Sequence, residues 1–239
     1  MNLEPNIEQV RQEYLRRVTG GNGALLHDVQ AHIASRMGKM LRPRLTLLAA
    51  ATLGDDHLNS RRTLLLAVAV EMLHNASLLH DDVIDRANTR RGIPSVNARW
   101  GNPVAVLVGD YLLAQIMNLL DEVDDRDATR LINSTVIQMV QSELLQQETA
   151  VSGQQTADSN NRQPLTASHY LAVIDGKTAR LFATACALGN PLYEDFGLHY
   201  GRLFQMRDDI ADGEAPDFVN ELIERETQEI NILKYILSI

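Results

Sequence analysis

Apolar residues recur at intervals of three and four along almost the whole chain, the spacing that gathers them on one face of an α-helix. Alternating, β-branched segments bounded by hairpin turns, the signature of a sheet, do not occur at any convincing length. The periodicity predicts helices over about 6–18, 24–36, 40–53, 60–82, 101–121, 124–150, 165–188, 193–212 and 216–237. The expected fold is all-α, a single bundle of about nine helices over residues 1–239. Val151 to Pro164 offers no apolar face and clusters Gly153, Asp158, Ser159, Asn160 and Asn161, so a surface loop is expected there. The run Leu64 to Val70 is wholly aliphatic but far shorter than the roughly 20 residues that span a bilayer, so 60–82 reads as the central core helix.

Composition narrows the class. The 239 residues are 45% hydrophobic and 22% charged with only seven Pro and fourteen Gly, which suits a globular protein and excludes collagen-like or broadly disordered chains. Asp and Glu (31) outnumber Lys and Arg (22), giving a net charge of −9, so neither a nucleic-acid partner nor a polybasic membrane anchor is expected. The one cysteine, Cys186, lies between Ala185 and Ala187 and reads as a small buried hydrophobe in a reducing compartment. Met1 to Val18 is interrupted by Glu4, Glu8, Arg11, Glu13, Arg16 and Arg17, unlike a secretory leader, so a cytoplasmic location is expected.

The chemistry concentrates at two acidic strings. His80-Asp81-Asp82-Val83-Ile84-Asp85 ends the core helix, where the macrodipole disfavours carboxylates by up to ~1 kcal/mol, and Asp81 and Asp85, four apart, repel on one face. Asp208-Asp209-Ile210-Ala211-Asp212 repeats the arrangement at the end of another apolar helix. Either string alone is compatible with a solvated helix end. The pair points to a divalent cation, and all-oxygen ligands without paired His or Cys favour Mg²⁺ over Zn²⁺.

Basic residues answer them. Gly38-Lys39-Met40-Leu41-Arg42-Pro43 opens one apolar helix, Arg90 and Arg91 follow the first acidic string, and Lys177 and Thr178 sit at the polar point of another helix. Arg forks and Lys point charges suit phosphate oxygens. Gly176-Lys177-Thr178 is not a phosphate-binding P-loop, because the second glycine and the preceding strand are missing.

Taken together, these strings resemble the trans-isoprenyl diphosphate synthases of the polyprenyl synthetase family, in order from about residue 37 to 214. The resemblance implies an isoprenoid-synthase bundle around a central apolar tunnel, and a prenyltransferase that condenses isopentenyl diphosphate with an allylic diphosphate. It implies that Asp81, Asp82 and Asp85, with Asp208, Asp209 and Asp212, hold Mg²⁺, three ions when substrate is bound. Lys39, Arg42, His74 and Arg91 are implied to bind isopentenyl diphosphate; Arg90, Lys177, Thr178 and Gln205 are implied to meet the allylic diphosphate or the developing cation. The resemblance also implies that Asp81, Asp85, Lys177, Gln205 and Asp208 carry the catalytic roles. No protein nucleophile is required, since electrostatic stabilisation of the leaving group supplies the acceleration.

Ala76 and Ser77, one turn before Asp81, are small where short-chain members place an aromatic plug, so a long product is expected. Leu112, Ile116 and Leu119 could supply a lower floor. The resemblance also implies a homodimer, through segments such as Val104 to Val108 and Leu112 to Leu120, and a lipophilic product made without stable membrane insertion of the enzyme. After Asp212 the family continues with lysine-bearing segments, whereas here Lys234 is the only lysine after Lys177. That departure keeps a second expectation open: an accessory or regulatory subunit that binds prenyl diphosphates with weak or no turnover.

Overall fold

In the computed structural model, residues 2–20, 22–155 and 166–237 are described. They form two compact units, residues 1–128 and 129–239.

The first unit contains α1 (Glu4–Val18), α2 (Ala24–Ala34), α3 (Leu41–Ala51), a single turn α4 (Asp55–Leu58) and α5 (Arg61–Ile84). A short hairpin of β1 (Thr89–Arg90) and β2 (Ile93–Pro94) follows, then α6 (Val96–Trp100) and α7 (Asn102–Val123). The start of α5 is fixed by Ser60, whose hydroxyl accepts the Thr63 amide at 3.1 Å and satisfies one of the unpaired donors of the first turn. From Leu65 to Leu73 every residue of α5 is buried, as the aliphatic run predicts for a helix surrounded on all sides. It packs against α1, α3 and, most extensively, α7, which turns Leu112, Ile116 and Leu119 inward. Both α5 and α7 are long and apolar enough to cross a membrane by length and composition; 72% of the α5 window lies inside the protein, against 39% for α7.

The second unit takes most of α8 (Arg126–Gln155), then α9 (Ala167–Ile174), a π-helical turn at Asp175–Ala179, α10 (Arg180–Gly189), a 3-10 turn at Pro191–Tyr193, α11 (Glu194–Asp212) and α12 (Val219–Leu237). A Cβ on Gly201 would stand 2.5 Å from the Ala179 Cα, and one on Gly197 2.6 Å from the Phe182 carbonyl oxygen. The two glycines therefore let the α11 backbone lie directly on the chain at 179–183. After Asp212, Phe218, Val219, Leu222 and Ile223 pack on Tyr170, Ile174 and Met206, with the Tyr170 and Phe218 rings edge to face at 5.9 Å. Such a ring pair adds about 0.5–1.5 kcal/mol to its burial.

The architecture is all-α, as the periodicity indicates, with local departures. The expected helix at 165–188 is broken by the π-turn into α9 and α10. Helix α8 continues through Gln155, so the first residues of the expected 151–164 loop are helical; positions 156–164 lie outside the described residues. The hairpin and the short helices α4 and α6 are too brief to leave a periodic signal. Cys186 is buried, and burial pushes its thiol up to about 12, in keeping with a packing role.

Candidate functional site

In the first unit the acidic string falls at the end of α5: Asp82 is 3% exposed, Asp81 half-buried, and Asp85 exposed as the helix cap. Asp82 accepts from the Arg90 guanidinium, through Nε at 2.9 Å and through a second, shorter bond. Asn97 donates to the Asp82 carbonyl at 2.9 Å and so ties the helix end to the segment after the hairpin. Arg91 (φ 52) and Gly92 (φ 78) are the two central residues of the turn between β1 and β2. Positive φ at both is the type I′ geometry whose twist suits a two-residue hairpin, and it is strained for arginine. The two arginines are thereby separated: Arg90 bonds Asp82, while Arg91 donates to the Arg36 carbonyl at 3.0 Å. A Cβ on Gly38 would stand 2.8 Å from an Arg91 nitrogen, so the glycine before Lys39 leaves room for that guanidinium.

Lys39 is exposed; Met40 enters α3 with φ 54, and Arg42, in the first turn of that helix, is 9% exposed. His74 lies among these cations. Burial and then the charges of Arg42, Arg91 and Arg90 hold its pKa well below the usual value of 6.5, so the imidazole is neutral. Glu71, one turn earlier and 2% exposed, is pushed up by burial and drawn back by Arg42, Arg91 and a hydrogen bond from Asn75. Tyr14 of α1 adds a buried hydroxyl that finds no hydrogen-bond partner among the described residues, its pKa raised by burial and by the charge of Glu71. Sequence reasoning missed Tyr14, which sits in the apolar series Ile7, Val10, Tyr14, Val18, where its ring fits the pattern and its hydroxyl is the one polar atom.

In the second unit Thr178, Gln205 and Asp209 form a relay. The Thr178 hydroxyl donates to Gln205 Oε1 at 2.6 Å, and Gln205 Nε2 donates to Asp209 Oδ1 at 2.7 Å. The other Asp209 oxygen accepts from the Tyr170 hydroxyl, a partner that no motif disclosed. Lys177 donates to Gln146 Oε1 at 3.3 Å and lies 3.5 Å from Glu143 Oε2. Asp208 and Asp212 are exposed. The α11–179 approach allowed by Gly201 places Gln205, one turn along, beside Thr178.

Among the described residues, no group of three or more His, Cys, Asp or Glu side chains is gathered closely enough to hold a metal ion. The middle aspartate of each string is engaged by neighbouring side chains: Asp82 by Arg90, and Asp209 by Tyr170 and Gln205. The donors themselves suit a hard cation, being carboxylate oxygens with Asp85, Asp208 and Asp212 open to solvent. Ala76 is 1% exposed, and Ser77 is half-buried with its hydroxyl bonded to the His74 carbonyl at 2.9 Å.

The family model for polyprenyl synthetase matches residues 24–219. Among known proteins, the chain is 37% identical over 198 residues to an all-trans-nonaprenyl-diphosphate synthase (geranyl-diphosphate specific) of Rhodobacter capsulatus, covering 79% of this chain and 57% of that one. It is 34% identical to a geranylgeranyl diphosphate synthase of Methanosarcina mazei, covering 81% and 60%. Among solved structures, a decaprenyl diphosphate synthase from Rhodobacter capsulatus superposes with a TM-score of 0.77 at 30% identity, covering 90% of this chain and 68% of that chain. The chain thus spans about three-fifths of the length of the two relatives.

Proposed function

The chain belongs to the polyprenyl synthetase family, and on that footing we propose that it transfers the prenyl group of an allylic diphosphate to isopentenyl diphosphate, making a longer trans-polyprenyl diphosphate. The observation that carries the proposal is the charge around His74. In a protein of net charge −9, burial first, and then the charges of the Arg42, Arg91 and Arg90 guanidiniums, hold the pKa of one imidazole well below its usual value. A local excess of positive charge of that kind suits a polyanion, and a diphosphate has the required size and charge.

Lys39, Arg42 and Arg91 hold the diphosphate of isopentenyl diphosphate, with His74 as a hydrogen-bonding partner. Lys177, Thr178 and Gln205 receive the allylic diphosphate, and Arg90 adds positive charge near Asp82. Asp81, Asp82, Asp85, Asp208, Asp209 and Asp212 would hold Mg²⁺, which withdraws charge from the leaving diphosphate. In the transfer, the allylic carbon–oxygen bond breaks, the isopentenyl double bond supplies the electron pair of the new carbon–carbon bond, a proton is lost, and pyrophosphate leaves. Asp81, Asp85, Lys177, Gln205 and Asp208 act by placing charge, so no protein nucleophile takes part.

The family match runs across both units, which supports reading residues 1–239 as one functional domain. A homodimer is part of the proposal: α7 leaves Leu107 66% and Met117 68% exposed, an apolar face suited to a second copy, while Leu112, Ile116 and Leu119 are interior. We place the reaction in the cytoplasm, where the reduced, buried Cys186 is at home. The test is purified chain with isopentenyl diphosphate, an allylic starter and Mg²⁺, following pyrophosphate release and product mass. Turnover that disappears in Asp81→Ala and Asp208→Ala is expected. Tight binding of prenyl diphosphates with no turnover from any starter would replace the enzyme by a binding subunit.

A further inference from the structure

The π-turn that carries Lys177 and Thr178 has an anchor that no motif includes. Arg202 of α11 forks onto Asp175, the first residue of the turn, with Nε to Oδ1 at 2.6 Å and Nη2 to Oδ2 at 2.7 Å. Its remaining nitrogen reaches Glu226 of α12 at 3.3 and 3.4 Å. Glu226 is 1% exposed, and it also takes a hydrogen bond from His199 of α11 and bonds at 3.0 and 3.3 Å from Arg225. One guanidinium therefore links a carboxylate on the turn to a buried carboxylate on the last helix.

Such a link has a physical reason to exist. A π-turn is a rare, weakly paired interruption of an α-helix, and it persists where its surroundings hold it. A two-point Arg–carboxylate fork fixes position and orientation together. Lys177 and Thr178 follow Asp175 by two and three residues, so whatever holds Asp175 helps fix the stretch of backbone from which the ammonium and hydroxyl side chains project. Removing Arg202 would also leave Glu226 buried with one cation fewer.

We propose that Arg202 is a positioning residue for the allylic diphosphate site: by clamping Asp175 it holds Lys177 and Thr178 in place, and through Glu226 it makes α12 part of that site. This rests on the proposed role of Lys177 and Thr178 and adds a residue, and a helix, to it. The bonding pattern is specific: Arg202 serves Asp175 with two nitrogens and Glu226 with the third, so substitution by Lys keeps the charge but not the double attachment.

The test uses the full chain, wild type against Arg202→Met, Arg202→Lys and Asp175→Asn, with two readouts. Hydrogen exchange of peptides covering 170–181 is expected to quicken about tenfold in Arg202→Met relative to peptides from the α5 core, because the turn opens locally. The KM for the allylic diphosphate is expected to rise about tenfold with that for isopentenyl diphosphate within twofold, the pattern of a displaced contact to one substrate only. Arg202→Lys should recover only part of both effects. If Arg202→Met fails to fold, Asp175→Asn, which weakens the same fork and leaves Glu226 paired, carries the same two expectations. Unchanged exchange at 170–181, or equal rises in both KM values, overturns the proposal. Should the wild type prove inactive, the proposed function fails by that result, and the KM for the allylic substrate is replaced by the Kd for farnesyl diphosphate with Mg²⁺; no weakening in Arg202→Met then overturns the positioning role.

Discussion

Tyr170 and Asp209 are hydrogen-bonded through the phenol hydroxyl and one carboxylate oxygen, while Gln205 holds the other oxygen. Tyr170 stands on α9, 39 residues earlier, and its pKa is raised first by burial and then by this bond to Asp209. An aspartate held on both oxygens is a poorer cation ligand than one left open. Tyr170→Phe is therefore expected to tighten Mg²⁺ binding in the presence of pyrophosphate, by a few-fold, while lowering stability by about 1 kcal/mol for the lost bond. Calorimetric titration and urea unfolding measure the two effects. Weaker Mg²⁺ binding would mean that Tyr170 orients Asp209 toward the ion instead of competing with it.

The Arg90–Asp82 pair gives an asymmetric prediction. Asp82 is 3% exposed, whereas the Arg90 side chain is 39% exposed. Removing the arginine strands a buried carboxylate; removing the carboxylate charge leaves an arginine able to turn to water. Arg90→Gln should cost about 2–3 kcal/mol and Asp82→Asn clearly less, with part of the first loss recovered in the double variant. Urea unfolding of the four proteins completes the cycle, and equal single losses would show that solvent already screens the pair.

Much of this was readable in the chain, for reasons that explain the rest. The helices over 60–82 and 193–212 are long and strongly patterned, so their existence was secure, and the acidic strings at their ends conflict with the helix dipole, which makes them conspicuous. What escaped notice depends on single contacts between distant positions. Arg202 and Asp175 are 27 residues apart with nothing in either segment to advertise the other. The π-turn inserts one residue's worth of slack into a continuous apolar pattern, so 165–188 looked like one helix. The hairpin, with two residues per strand, is too short for alternation to appear, yet it is what separates Arg90 from Arg91.

Two acid-sensitive groups titrate in different windows. His74 has its folded pKa depressed, so as pH falls below about 6.5 the unfolded chain takes up a proton that the folded chain refuses, and stability declines. His74→Gln should flatten the stability profile between pH 6.5 and 5 and change the KM for isopentenyl diphosphate only a few-fold, since a neutral hydrogen-bonding side chain is kept. Equilibrium unfolding across that range checks the first part, and a large fall in affinity would require a charged imidazolium in the bound state.

Glu226 behaves differently. Burial alone would raise its pKa, but hydrogen bonds from His199 and Arg225 and the charge of Arg202 bring it from 4.5 to about 2. Its contribution is present above pH 4.5 and is lost as the pH falls toward 2. Glu226→Gln is expected to be less stable than wild type by about 1–2 kcal/mol at pH 7, allowing for solvent screening of the network, with the difference shrinking below pH 4. A difference independent of pH would assign the loss to packing instead of charge.

Product length depends on the bulk that lines α5 ahead of Asp81, and the two small residues there differ in the room around them. The small residues Ala76 and Ser77 pointed to a long product, with Ala76→Phe as the obvious way to shorten it. Ala76 is 1% exposed, so the added ring has no room there and should cost about 1–3 kcal/mol in displaced neighbours, confounding any effect on chain length. Ser77 is half-buried on the same face of α5 as His74 and Asp81, three residues behind it and four ahead, the spacing that stacks side chains along a helix. Its hydroxyl returns to the His74 carbonyl at 2.9 Å, a bond whose loss is small on a helix that keeps its own pairing. Ser77→Phe therefore adds bulk one turn from Asp81 with less disturbance of the core. Its products should be shorter than wild type by one or more isoprene units at similar thermal stability, read by mass spectrometry of the extracted diphosphates. An unchanged length distribution from a folded, active Ser77→Phe protein would mean that the growing chain does not pass this face of α5.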